Sequence, residues 1–109
     1  VAYQTDVKAS VLRVPDALLA ERGAVDADVA LAMARNVRTQ FGATVGLATT
    51  GVAGPDPQDA TAPGTVFVAL VADREELVEK FSFEGSRDDI RQHTVGATLR
   101  LLESFLRAE

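Results

Sequence analysis

The sequence predicts an α/β fold, a three-layer α/β/α arrangement around a mixed sheet that includes an antiparallel hairpin. Three observations carry that expectation. Apolar residues recur at helical spacing across 29–41 and again across 90–105. Two apolar runs, 65–72 and 77–83, are separated only by charged residues around Asp73, Arg74 and Glu75, the pattern of a tight hairpin. A short continuous apolar run, 45–48, breaks into a glycine-bearing loop in the manner of a buried parallel strand. Helix, strand, hairpin and helix in that order add up to a sheet with helices packed on it.

Each element has its own local signals. The opening Val1-Ala2-Tyr3 reads as the end of a strand and lacks an initiator methionine, so an earlier segment supplying at least one more strand is expected. Thr5 can cap a short helix containing Asp6, Val7, Lys8, Val11 and Leu12, with Asp6 near its positive end. Pro15 starts a second helix, Asp16 to Arg22, which buries Leu18 and Leu19 and stops at Gly23. Asp26 is the N-cap of a third, whose stripe of Val29, Met33, Val37 and Phe41, widened by Ala30 and Ala34, is assigned to the core and ends at Gly42. The final helix opens at Ser86 with Asp89 three positions on, a capping box, and buries Ile90, Ala97, Leu101 and Phe105. Strand 65–72 is apolar on both faces, which calls for cover by a helix or a second subunit.

Composition bounds the function. The 109 residues are one domain, 1–109, and 47% apolar content suffices for a single core. Sixteen acidic against eleven basic residues leave a net charge of −5, which disfavours nucleic acid as a partner. Cysteine is absent, removing disulfides, thiolate nucleophiles and zinc–thiolate sites, and a lone histidine, His93, cannot build a metal cluster. No apolar stretch reaches the ~20 residues that span a bilayer, so a cytoplasmic protein without membrane contact is the default.

The stretch 45–59, VGLATTGVAGPDPQD, carries the chemistry. Gly51, Gly54 and Pro55 stand at its turning points, where a backbone bends sharply or meets a ligand closely. The loop would sit at the carboxyl end of a strand, where open α/β sheets bind ligands. The same residues also describe an ordinary surface loop. No Gly-Lys-Ser/Thr closes a P-loop, and no helix follows to complete a dinucleotide fingerprint.

An ordered set of motifs resembles the CinA C-terminal domain family: Val1-Ala2-Tyr3 with Lys8 five positions after the tyrosine, Thr49-Thr50-Gly51-Val52-Ala53-Gly54-Pro55, Gly64-Thr65-Val66, Phe83-Glu84-Gly85-Ser86-Arg87, then Ile90-Arg91. The resemblance implies an amidohydrolase that converts nicotinamide mononucleotide and water to nicotinic acid mononucleotide and ammonia in pyridine-nucleotide salvage, with no metal or other cofactor. It implies a serine nucleophile in a Glu-Ser-x-Thr-Gly-Gly motif preceding the equivalent of Val1, with Tyr3 and Lys8 as catalytic base and acid. A first-turn position at the positive end of a helix would depress the lysine's pKa. Thr50, Gly51 and Gly54 are implied to meet the substrate, and Arg87 to pair with its phosphate at the start of the last helix, Arg91 ranking second. Read without the resemblance, Lys8 is a solvated helix residue, Tyr3 a half-buried strand residue, and Arg87 a surface partner of Asp88 or Glu84.

One segment departs from the family pattern. Many relatives follow the Gly-Pro pair with a Gly-Gly turn and Lys-Pro-Val-Gly, whereas this chain has Asp56-Pro57-Gln58-Asp59 and then Ala62-Pro63-Gly64. A non-catalytic nucleotide-binding or oligomerisation module is the rival to the enzyme. A homo-oligomer is the expected state, with a small-molecule nucleotide as the ligand.

Overall fold

The computed structural model describes residues 5–58 and 61–108. Its elements run α1 (Thr5–Ser10), α2 (Asp16–Arg22), α3 (Ala27–Phe41), β1 (Gly46–Gly51), β2 (Thr65–Ala72), β3 (Glu75–Ser82) and α4 (Arg87–Ala108). The sheet order is β1-β2-β3, with β2 in the middle. The expected strand at 1–3 lies outside the described residues.

Alternation along β2 builds the layers. Ala69 and Val71 point to one face and join Val29, Ala30, Met33 and Ala34 of α3, with Ala48 of β1. Val66, Val68, Leu70 and Ala72 point to the other and meet Ile90, Leu101 and Phe105 of α4. Two helices therefore cover the strand that reads apolar on both sides, giving the expected three layers.

Every strand pairing among the described residues is antiparallel, which corrects the parallel reading of β1; the further strand of the expected mixed sheet lies outside the described residues. Gly46 pairs with Val71 and Gly51 with Val66, and Thr65 of β2 pairs with Ser82 of β3. Cover on both faces makes a strand read as a continuous apolar run whatever its direction, so the run at 45–48 says nothing of its neighbour's polarity. The strand also extends to Gly51, and the β2–β3 turn is tighter than expected, Ala72 pairing directly with Glu75.

The helix boundaries follow their caps. The Asp26 carboxylate accepts from the backbone N–H groups of Asp28 and Val29, and Gly42 closes α3 in the left-handed conformation. At α4 the capping box is reciprocal: Ser86 N–H donates to Asp89 Oδ2 over 2.9 Å, and Asp89 N–H to Ser86 Oγ over 3.2 Å. Near the other end of β3, the Phe81, Phe83 and His93 rings stack in series, centroids 5.2 and 5.3 Å apart, fastening β3 to α4.

Two expectations for apolar residues are corrected. Phe41, assigned to the core stripe, is 78% exposed, because the buried cluster along α3 stops at Ala34 and the helix runs on past it. Helix α1 ends at Ser10, so Val11 and Leu12 lie beyond it, and Val11 is exposed. That segment is held by α3 side chains: Asn36 Nδ2 donates to the Leu12 and Arg13 carbonyls, and Gln40 Nε2 to that of Val11. No helix of the described residues is long and apolar enough to cross a membrane.

Candidate functional site

A single cleft of about 1310 Å³ runs along β1, walled by α1 and α3 on one side and the start of α4 on the other. Lys8, Thr50, Gly51, Gly54 and Arg87 all line it, as does Arg91. The fold thus brings together the predicted residues that fall among the described ones. Tyr3 lies outside the described residues.

Lys8 is set by the anchoring of α1. Val14 N–H returns to the Lys8 carbonyl over 3.0 Å and buries Val14 in the α3-side core, so the short helix is fixed on that core at both the backbone and its following turn. The side chain is only 5% exposed. Burial holds its pKa below the usual lysine value, because an ammonium loses more solvation than an amine. The expected direction is present, but its cause is desolvation. The sequence reading put the effect on a first-turn dipole, and α1 spans only six residues with Lys8 in its last turn.

Thr50 follows from strand alternation: Ala48 and Thr50 face the α3 side, and Thr49 the other. Thr50 is 6% exposed, and its hydroxyl donates to the Ala24 carbonyl over 2.7 Å, joining β1 to the α2–α3 connection. Lys8 and Thr50 are the two buried polar side chains among the described residues.

The glycines serve different ends. Gly51 stands in the last position of β1, not at a bend as expected, and a Cβ there would meet Val66 Cγ2 at 2.8 Å and the Thr65 carbonyl at 2.9 Å. Its smallness lets β1 lie close on β2. Gly54 does mark a turn, with φ +83°, which disfavours a side chain. The base of the loop is pinched by Val52 N–H to the Thr65 carbonyl and Gly64 N–H to the Val52 carbonyl. Asp56, Pro57 and Gln58, where the chain departs from the pattern, also line the cleft.

Arg87, the first residue of α4, is exposed, and its Nη1 donates to the Gly54 carbonyl over 3.0 Å. It pairs with neither Asp88 nor Glu84, because the loop carbonyl is within reach. The remaining guanidinium N–H groups are available to an anion.

The CinA C-terminal domain model matches residues 1–106. The chain belongs to the CinA C-terminal domain family. A CinA-like protein of Geobacter sulfurreducens is 50% identical over 108 residues, covering 97% of this chain and 26% of that protein. One of Frankia casuarinae is 44% identical over 106 residues, covering 97% and 24%. The chain thus spans about a quarter of the length of the curated relatives it matches. A CinA superfamily protein of Klebsiella pneumoniae superposes with a TM-score of 0.93 at 26% identity, over 98% of this chain and 68% of that one. Another from Enterobacter cloacae gives 0.91 at 30% identity, over 95% and 62%. The three-layer CinA architecture is therefore shared over nearly the whole chain.

Sequence reasoning missed the Thr50–Ala24 bond and the lining role of Met33, Val37 and Phe41, which it treated as core alone. Phe41 carried a signal, since it stands at the very end of its helix.

Proposed function

We propose that this chain contributes the larger part of an amidohydrolase site that converts nicotinamide mononucleotide and water to nicotinic acid mononucleotide and ammonia. The observation that supports this most is that a buried lysine with a depressed pKa, a glycine loop at a strand end and an arginine at a helix start share one cleft.

The chemistry asks for a nucleophile, a base, an acid and a grip on the phosphate. The resemblance assigns the nucleophile to a serine N-terminal to Val1. Its oxygen bonds to the carboxamide carbon while its proton passes to the Lys8 amine, whose pKa burial lowers. The C–N bond then breaks, and the nitrogen takes that proton and leaves as ammonia. Water attacks the acyl ester, one of its protons returns to the serine oxygen, and the other passes to solvent as the carboxylate is released. Tyr3 is assigned the companion acid–base role. Arg87 and the amino end of α4 hold the phosphate.

The test is ammonia release from nicotinamide mononucleotide by the complete protein carrying the Glu-Ser-x-Thr-Gly-Gly segment. Turnover supports the reading. Binding without ammonia release sinks it in favour of the non-catalytic nucleotide-binding module.

A further inference from the structure

The cleft takes the β1 side of the sheet and leaves the opposite edge, β3, without a task. Val52 N–H donates to the Thr65 carbonyl, so Thr65, Phe67, Ala69 and Val71 turn their backbone groups toward β1, and the alternate residues of β2 turn theirs toward β3. Carried across the β2–β3 register, the same alternation aims the N–H and C=O of Glu76, Val78, Lys80 and Ser82 away from the sheet. Among the described residues no strand pairs with them. β3 keeps eight residues in unbroken register, with no proline or bulge to blunt it. It is therefore a template for one more strand. On its α3 face Arg35 holds Glu76, while Lys80 has no ion pair among the described residues, its Nζ standing 5.9 Å from the centre of the Phe67 ring.

We infer that this edge receives a second copy of the chain, β3 against β3 about a two-fold axis at Val78. Such an axis sets the two strands antiparallel and makes the contact self-complementary. Residues opposite one another must both turn their backbone groups into the junction or both away from it, so the axis passes at a residue and not between two. Centred on Val78, the register sets Glu76 against Lys80 of the copy, and Lys80 against its Glu76, on the α3 face. Val78 meets its own copy there, and Leu77 meets Glu79 on the α4 face. The neighbouring centres all oppose like charges: Glu76, Glu79 or Lys80 meets itself, or, about Leu77, Glu75 meets Glu79. Charge thus selects the partner and the register together. Because β3 is the edge away from β1, the pairing leaves the cleft open in both copies.

The test is sedimentation of the complete protein over a concentration series, unaltered and as charge variants. Lys80→Glu turns two attractive cross-strand pairs into repulsive ones and is expected to weaken self-association by about tenfold or more. Adding Glu76→Lys to the same chain reverses both charges, opposes unlike charges once more and should return the affinity to within about threefold. Cross-linking fixes the place. Val78→Cys, in a chain without cysteine, sets two thiols on directly opposed residues and should give a disulfide-linked dimer under mild oxidation. Lys80→Cys should not, since position 80 lies opposite position 76 of the copy. A monomeric unaltered protein, self-association indifferent to Lys80→Glu, a weakening that Glu76→Lys fails to reverse, or cross-linking through position 80 but not 78 each overturns the inference. None of these readouts involves ammonia release, so the outcome is separate from that of the amidohydrolase reading.

Discussion

The Arg87 guanidinium donates to the Gly54 carbonyl over 3.0 Å, tying the first turn of α4 to the loop that leaves β1, 33 residues earlier. The α4 wall of the cleft is thus connected to the loop at the end of β1 by a residue that also lines the cleft. A bound anion would compete with the carbonyl for that guanidinium.

Arg87→Ala is accordingly expected to raise KM for the mononucleotide by about tenfold or more, the worth of a charge-assisted bond, while barely changing KM for the dephosphorylated nucleoside. Steady-state kinetics on both substrates decide it. An identical effect on the two would remove the phosphate from Arg87's role.

Replacing Lys8 by methionine should lower kcat by about a hundredfold or more, the usual contribution of a positioned acid–base group, with little change in KM. Equal activity would take Lys8 out of the mechanism.

The same residue makes a prediction about stability. Its folded-state pKa lies below its unfolded one, so between the two values the unfolded chain binds more protons, and the contribution of this group to stability rises with pH until the unfolded lysine also loses its proton. Lys8→Met removes the buried ammonium and should raise Tm by a few degrees at neutral pH. The gain should shrink as pH approaches the ordinary lysine value. Thermal unfolding of both proteins at neutral and alkaline pH measures it, and a gain independent of pH would contradict the assignment.

Away from the cleft, at the β3 edge of the sheet, Arg35 holds Glu76 by two bonds, Nε to Oε2 at 3.0 Å and Nη2 to Oε1 at 2.8 Å, linking α3 to β3. The hydrogen bond from Arg35 keeps the carboxyl of Glu76 below its usual pKa. Its contribution is therefore present above the unfolded carboxyl's pKa and lost as pH falls through the depressed one. The pair is solvent-exposed, so Arg35→Ala should cost about 0.5 kcal/mol, with the cost shrinking in high salt. Denaturant titrations of both proteins at two salt concentrations test it.

What was legible in the sequence was what neighbouring residues decide. Pro15 and Gly23 bracket α2, Asp26 and Gly42 bracket α3, and Ser86 with Asp89 opens α4, because such signals act within about one helical turn. The buried line of Ile90, Ala97, Leu101 and Phe105 followed from helical spacing. The direction of β1 did not follow, since its partner β2 returns only after the long loop 52–64, and no two-residue turn announces the pairing. At the site, the residue types were readable from the motifs. The burial of Lys8 and the commitment of the Thr50 proton depend on Val14 and Ala24, which stand far from any motif.

The confinement of interior polarity to Lys8 and Thr50, both on the cleft, has a bearing on how this domain can be engineered. Exchanging inward polar groups for hydrocarbon is an ordinary route to thermal hardening. Among the described residues that route has two addresses, and both lie at the proposed site. Hardening that spares turnover must be sought instead on the outer faces of the helices and in the β2–β3 turn.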